Sequence, residues 1–260
     1  MTSASDDPRR VLARHGLTAK KSWGQNFLRD RAVLGRIAAS ARAEADDVVV
    51  EIGSGLGALT AALAALDPPP ARILAVERDP DMLRVLAAEL AEEPRVELAP
   101  GDAAQFDFAA ASRTAGRPLI VVGNLPYQIA SALILAVIDA GRAGAVARAV
   151  VMVQREMAQR VVAPSGNKIY GRFSVAMQQR AAVRILFHVS PGAFHPPPQV
   201  TSSVLWETSM RYLLSQGFTR FIELGPGSAL SGFMKRIDKT AQMLNVSDVA
   251  SLEATVKALG

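Results

Sequence analysis

The segment Val48-Val49-Val50-Glu51-Ile52-Gly53-Ser54-Gly55-Leu56-Gly57, running on into the Ala/Leu stretch Ala58 to Leu66, restricts the fold more than any other part of the chain. A short β-branched run reads as a strand buried on both faces. The glycines read as a tight turn, and the Ala/Leu stretch as a helix. The same theme returns in RILAVERD followed by DMLRVLAAELAEE, and in RVELAPGDAAQF, PLIVVGNLPY and RAVVMVQREMAQRV. A further helical pattern spans Arg31 to Arg42, with Val33, Leu34, Ile37 and Ala38 on one face. This alternation predicts a doubly wound, Rossmann-like α/β sheet with helices on both faces. After Ala182 the chain turns β-like, with VRILFHV and VTSSVLW flanking the turn-rich PGAFHPPPQ.

Composition excludes several classes. The 260 residues are 50% hydrophobic, enough for a sizeable core, and contain no Cys, which rules out a disulfide framework and any Cys-ligated zinc site. The three His residues show no metal-ligand spacing, so no metal is expected. The polar start MTSASDDPRR lacks the apolar run of a signal peptide, and no apolar stretch approaches the ~18 residues of a membrane helix. A cytoplasmic protein without membrane contact is the expectation. The formal net charge of +5 favours anionic partners such as nucleic acid.

Three successive strand ends carry the chemistry. Gly53 and Gly55 allow a ligand to lie close against the backbone, and G-x-G-x-G differs from the dinucleotide pattern G-x-G-x-x-G. Glu77 ends the next strand, where an acid accepts both hydroxyls of a ribose. Asp102 ends the one after, placed to accept from an adenine amine. Together these describe a nucleoside site at the carboxyl edge of the sheet. A fourth strand end, Asn124-Leu125-Pro126-Tyr127, holds an amide and a phenol on a loop that Pro126 stiffens.

The ordered set KSWGQNFLRD, VVVEIGSGLGALT, AVERD, PGDA, GNLPY, VQREMAQRVVAPSGNKIYGRFSV and PGAFHPPPQVTSSV resembles the ribosomal RNA adenine dimethyltransferase family over about residues 20–204. The resemblance implies S-adenosyl-L-methionine as cofactor and dimethylation of adjacent adenines in small-subunit ribosomal RNA, carried on an immature small ribosomal subunit. It further implies that Asn26 and Leu28 close over the cofactor, Gly53 and Gly55 line it, Glu77 holds the ribose and Asp102 the adenine amine. Asn124 would lie where cofactor and target base meet. Asn124 Oδ1 and the Leu125 carbonyl would accept the two N–H bonds of the target amine, Pro126 would stiffen the loop, and Tyr127 and Phe194 would cover the two faces of the flipped base. Basic positions such as Arg155, Arg160, Lys168 and Arg172 are candidates to face RNA phosphates. Trp23 stands where the family usually carries a smaller apolar residue or Phe. Methylation of another planar amine, in DNA adenine or a protein amide, is the rival enzyme reading. A catalytically impaired ribosome-assembly or RNA-binding protein is the rival from another class.

From Leu205 the texture changes. RYLLSQGFTRFIELGPGSALSGFMKRID resembles the C-terminal end of malonyl-CoA:acyl-carrier-protein transacylases, without that family's nucleophile or catalytic His segment. The expected organisation is a methyltransferase domain over 1–204 and a foreign α/β appendage over 205–260, in place of a helical RNA-gripping domain. In the appendage, Phe218 to Leu224 reads as a strand, followed by a helix through Met234 and Ile237. A monomer is expected, with self-association through the tail.

Overall fold

The run Val48–Ile52 forms a strand with every residue buried, as its β-branched content predicts. In the computed structural model, which describes residues 6–20, 23–126, 128–208, 220–224, 242–246 and 249–259, that strand is the second of eleven among the described residues. The first part of the chain supplies α1 (Pro8–Arg14), β1 (Phe27–Leu28), α2 (Arg31–Ser40), β2 (Val48–Ile52), α3 (Ala58–Ala64) and β3 (Arg72–Glu77). Next come α4 (Pro80–Glu89), β4 (Val96–Pro100), α5 (Phe108–Ala115), β5 (Leu119–Asn124), α6 (Ala130–Arg142) and β6 (Val146–Gln154). The remainder is α7 (Arg155–Val162), α8 (Arg172–Gln178), β7 (Ala182–Val189), β8 (Phe194–His195), β9 (Ser202–Thr208), β10 (Arg220–Leu224), β11 (Gln242–Val246) and α9 (Val249–Leu259).

Seven strands make one sheet in the order β4-β3-β2-β5-β6-β9-β7. The run from β4 to β6 is parallel, and β9 lies antiparallel to both β6 and β7. Alternate residues of each central strand serve opposite faces. Val48, Val50, Ile52, Leu119 and Val121 pack with Leu133, Ile134 and Val137 of α6. Val49, Ile120 and Val122 pack with Leu34, Ile37 and Ala38 of α2 and Leu59 and Leu63 of α3. Each such side chain contributes about 1.5–3 kcal/mol on burial, and two covered faces explain why the central strands read as unbroken apolar runs. The doubly wound α/β reading therefore holds.

Three local features differ from the sequence reading or add to it. Helix α1, capped by Asp7 and opened by Pro8, was not anticipated; its Val11 and Leu12 bury against Met82 and Val85 of α4. The sheet extends past Val204, because β9 runs to Thr208 and Leu205, 1% exposed, pairs with Val151 on one side and Ile185 on the other. In the tail, β10 lies within the expected strand and pairs in parallel with β11 as a separate two-stranded sheet. The expected helix through Met234 and Ile237 lies outside the described residues. Among the described residues no helix is long and apolar enough to cross a membrane.

Candidate active site

Strand β2 has β3 on one side and β5 on the other, so the chain winds outward through β3 and β4 and then returns to start again at β5. A crevice opens at the carboxyl ends of strands at such a reversal. A cavity of about 150 Å³ lies there, lined by residues from the ends of β2, β3, β4 and β5 and from the N-terminal segment. The pairings Ile52 with Val76 and Ile52 with Gly123 bring the ends of β3 and β5 level with the Gly-rich loop.

Gly53 and Gly55 adopt φ of 74° and 55°, a region that costs a side-chain-bearing residue energy. The loop folds back on β3: the Gly53 and Ser54 N–H groups donate to the Val76 carbonyl at 2.9 and 3.3 Å. Glu77 clasps the same loop from the side. Its Oε2 accepts from the Gly55 N–H and its Oε1 from the N–H groups of Arg78 and Asp79, each at 2.9 Å. Asp102 caps a short turn through the Ala104 N–H at 2.9 Å, and its Oδ2 lies 3.9 Å from Arg78 Nη1. Both acids line the cleft, as do Asn26, Leu28, Gly53, Gly55, Asn124, Leu125 and Pro126.

The N-terminal segment reaches the cleft because Asp79 holds it. Asp79 is 1% exposed and caps α4, and it also accepts from Lys20 Nζ at 2.8 and 2.9 Å and from Gln25 Nε2 at 2.8 Å. Asp79, with Asp81 beside it, holds the Lys20 ammonium above the ordinary lysine range. Asn26 is thereby brought next to Asn124, whose Nδ2 donates to the Asn26 carbonyl at 3.4 Å. A carboxylate before a Pro at a helix start reads in sequence as an ordinary cap, which is why Asp79 escaped notice as the anchor of this strap.

At the end of β5, Leu125 is 1% exposed and its N–H donates to the Met152 carbonyl at 3.0 Å, so β6 fixes the backbone on which Asn124 and Pro126 sit. Gly123 is a second residue that the sequence reading did not assign. A Cβ built there would lie 2.5 Å from the Ile52 carbonyl oxygen and 3.1 Å from Ile52 Cβ. A Gly inside a strand pattern was the available signal. Gly123→Ala should force β5 away from β2, costing about 1–3 kcal/mol. Thermal melts should show the loss, and S-adenosylmethionine affinity should fall with it, since the separated strands carry Gly53 and Asn124.

One expected site residue stands apart from the cleft. Phe194 is 2% exposed and packs in the core, its strand β8 paired across from Leu28 of β1, and its ring does not line the cleft. Tyr127 lies outside the described residues. Arg155, Arg160, Lys168 and Arg172 are all exposed along α7, the following loop and the start of α8.

The charges lining the cleft decide what it suits. Among the described lining residues Asp6, Glu51, Glu77 and Asp102 are acidic and Arg78 is basic. A polyphosphate would meet repulsion there, whereas a cationic nucleoside would not. With acids at two strand ends, an acidic lining and a glycine loop of positive φ, the residues fit S-adenosylmethionine. Sheet order, switch-point cleft and acidic lining together define a Rossmann-like S-adenosylmethionine-dependent methyltransferase.

The family described as ribosomal RNA adenine dimethylase matches residues 16–207, and the chain belongs to it. Its members methylate ribosomal RNA adenines, and this chain is such an enzyme. A ribosomal RNA small subunit methyltransferase A from Anaeromyxobacter sp. (strain K) is 47% identical over 213 residues, covering 79% of this chain and 72% of the relative. One of the same description from Xanthobacter autotrophicus is 38% identical over 265 residues, covering 98% of this chain and 88% of the relative. A crystallised dimethyladenosine transferase from Plasmodium falciparum is 26% identical with a TM-score of 0.63, covering 72% of this chain and 65% of that one.

Proposed function

We propose that the chain dimethylates the exocyclic amines of adjacent adenines in small-subunit ribosomal RNA, acting on the immature small ribosomal subunit. The observation that carries this is the placement of Asn124, Leu125 and Pro126 at the rim of the same cleft that Glu77 and Asp102 line. An adenine amine is a weak nucleophile because its lone pair is delocalised into the ring. Asn124 Oδ1 remains an acceptor while Nδ2 is engaged with Asn26. Together with the Leu125 carbonyl it takes both amine N–H bonds and turns the lone pair out of conjugation. The backbone tie of Leu125 to Met152 makes this arrangement stiff, which lowers the entropy lost on orientation. When bound, S-adenosylmethionine supplies a methyl group on a positively charged sulfur. The residues therefore need only aim the amine, whose proton leaves to solvent after transfer.

Tyr127 stacks on the flipped base in this reading. Phe194 takes the opposite face once its ring leaves the core beside Leu28, a repacking coupled to RNA binding. The exposed Arg155, Arg160, Lys168 and Arg172 sit along one stretch of chain next to β6 and contact phosphates. A cytoplasmic monomer agrees with the substrate. Residues 205–260 form an appendage related to the transacylase C-terminus, its first residues completing β9. The family match ending at residue 207 and the separate β10–β11 sheet support that division, against the near full-length alignment with the Xanthobacter relative. Any self-association of this monomer runs through that appendage.

Transfer of labelled methyl groups tests the substrate directly. Unmodified small subunits should be labelled, with large subunits, DNA and protein left unlabelled. Labelling of DNA or protein instead would favour the other planar-amine substrates. Cofactor binding without any transfer would favour the catalytically impaired RNA-binding protein.

A further inference from the structure

Glu51 lines the cleft and yet is only 1% exposed, and no step above uses it. It sits on β2 two residues before Gly53, with both neighbouring strands hydrogen-bonded to it. Its Oε2 accepts from Thr60 Oγ1 at 2.5 Å, and Thr60 is itself 0% exposed. We infer that Glu51 carries a proton while the cleft is empty and releases it when the cationic end of S-adenosylmethionine enters, so that cofactor binding and deprotonation are one coupled event. This rests on the reading of the cleft as the S-adenosylmethionine site.

The electrostatics of the surroundings support it. From β3 the charged group that faces Glu51 is Glu77, of like sign. Strand β5, helix α3, the loop of residues 53–57 and the strap of residues 23–28 carry no charged side chain, and α2, packed on the same face, carries Arg31 at its start and Arg36, whose guanidinium lies 3.9 Å from the Phe187 ring centre. Asp6 and Asp102 on the lining are also acidic. The basic residue there, Arg78, lies with its guanidinium 4.8 Å from the Trp23 ring centre and 3.9 Å from Asp102. Among the described lining residues no cation is thus committed to Glu51, and an ionised carboxylate there gains compensation when a cationic ligand enters. Burial, with Glu77 adding to it against the Thr60 and Ser54 hydroxyls, pushes the Glu51 carboxyl up to about 8. The Thr60 hydroxyl donates to a carboxylate and accepts from a carboxylic acid, so it serves both states.

The sign follows from linkage. A bound cation favours the ionised form and lowers the carboxyl pKa, so at pH 7 binding expels about one proton and tightens as pH rises from about 6 to 8, by up to about tenfold per pH unit. The empty protein shows the converse. Between the unfolded carboxyl value of 4.5 and the folded value of about 8 the native state binds the extra proton, so its stability falls as pH rises through that window.

Calorimetric titration of S-adenosylmethionine into the full chain decides the matter, run at pH 7 in phosphate and in Tris, whose ionisation heats differ. The wild type should release about one proton more than Glu51→Gln. The dissociation constant of Glu51→Gln should be weaker at pH 8 and flat from pH 6 to 8. Thr60→Val, which strips the carboxylate of its donor, should move the wild-type pH dependence to higher pH, and it serves if Glu51→Gln does not fold. Equal proton counts in wild type and Glu51→Gln, or pH-independent wild-type binding, would overturn the inference. Absence of any binding heat at all would remove the cofactor site itself and the inference with it, an outcome distinct from binding without proton release.

Discussion

Asn124→Ala is expected to slow methyl transfer by about 100- to 1,000-fold, the range seen when one preorganised hydrogen-bonding group is removed from a reacting centre. S-adenosylmethionine affinity should stay close to wild type. The reason for the split lies in what the side chain touches. Its one side-chain hydrogen bond among the described residues is a long one, 3.4 Å to the Asn26 carbonyl, so removing it loosens the strap only slightly. In the proposed mechanism its acceptor oxygen, by contrast, has its main partner in the target amine, and alanine leaves that amine conjugated and unaimed. Single-turnover assays at saturating cofactor separate the two effects. A variant that binds poorly and reacts normally once loaded would reassign Asn124 to cofactor binding alone.

Glu77→Ala should fail one step earlier. Charge-assisted hydrogen bonds are worth about 1.5–3 kcal/mol each, so losing both to the ribose weakens cofactor binding by about 100-fold or more. The structure adds a second cost. The carboxylate accepts from three backbone N–H groups, those of Gly55, Arg78 and Asp79, and these lose their acceptor together. The Gly-rich loop then loses its clasp to β3. Glu77→Gln is informative for this reason, because an amide has one accepting oxygen for N–H donors that approach from two sides. It should therefore lose much of the affinity that a simple ribose contact would retain. Affinity for S-adenosylmethionine in the three proteins reads this directly, and near-equal values for Glu77→Gln and wild type would leave only the ribose role.

The parts of the site that were legible in sequence are those in which local chain geometry places the chemistry. Gly53, Glu77, Asp102 and Asn124 each lie at the end of a parallel strand or within two residues of it, and strand ends in a doubly wound sheet converge on one edge. Position along the chain thus sufficed to collect them. The features that escaped depend on partners far away in sequence. Asp79 matters because Lys20 and Gln25 reach it, and Gly123 because Ile52 crosses beside it. Glu51 looked like one more residue of a strand, and its burial beneath Thr60 became evident only with α3 packed in place. The seven-residue helix α1 is too short to show periodicity, and its stability comes from α4. Phe194 shows a place that the sequence did not reveal. The resemblance implies that its ring covers the base, whereas β8 pairing with β1 holds it in the core of this structure, so that role requires the repacking proposed above.

The central claim is that the Asn124-Leu125-Pro126 rim aims a ribosomal RNA adenine amine at a cofactor held by Glu77 and Asp102. Mass-spectrometric counting of N6,N6-dimethyladenosine in RNA from unmethylated small subunits, after incubation with S-adenosylmethionine and either wild type or Asn124→Ala, tests it most directly. The account predicts dimethyladenosine with the wild type and almost none with the variant at matched cofactor occupancy. Equal dimethyladenosine from both proteins, or none from a wild type that binds the cofactor, would contradict it.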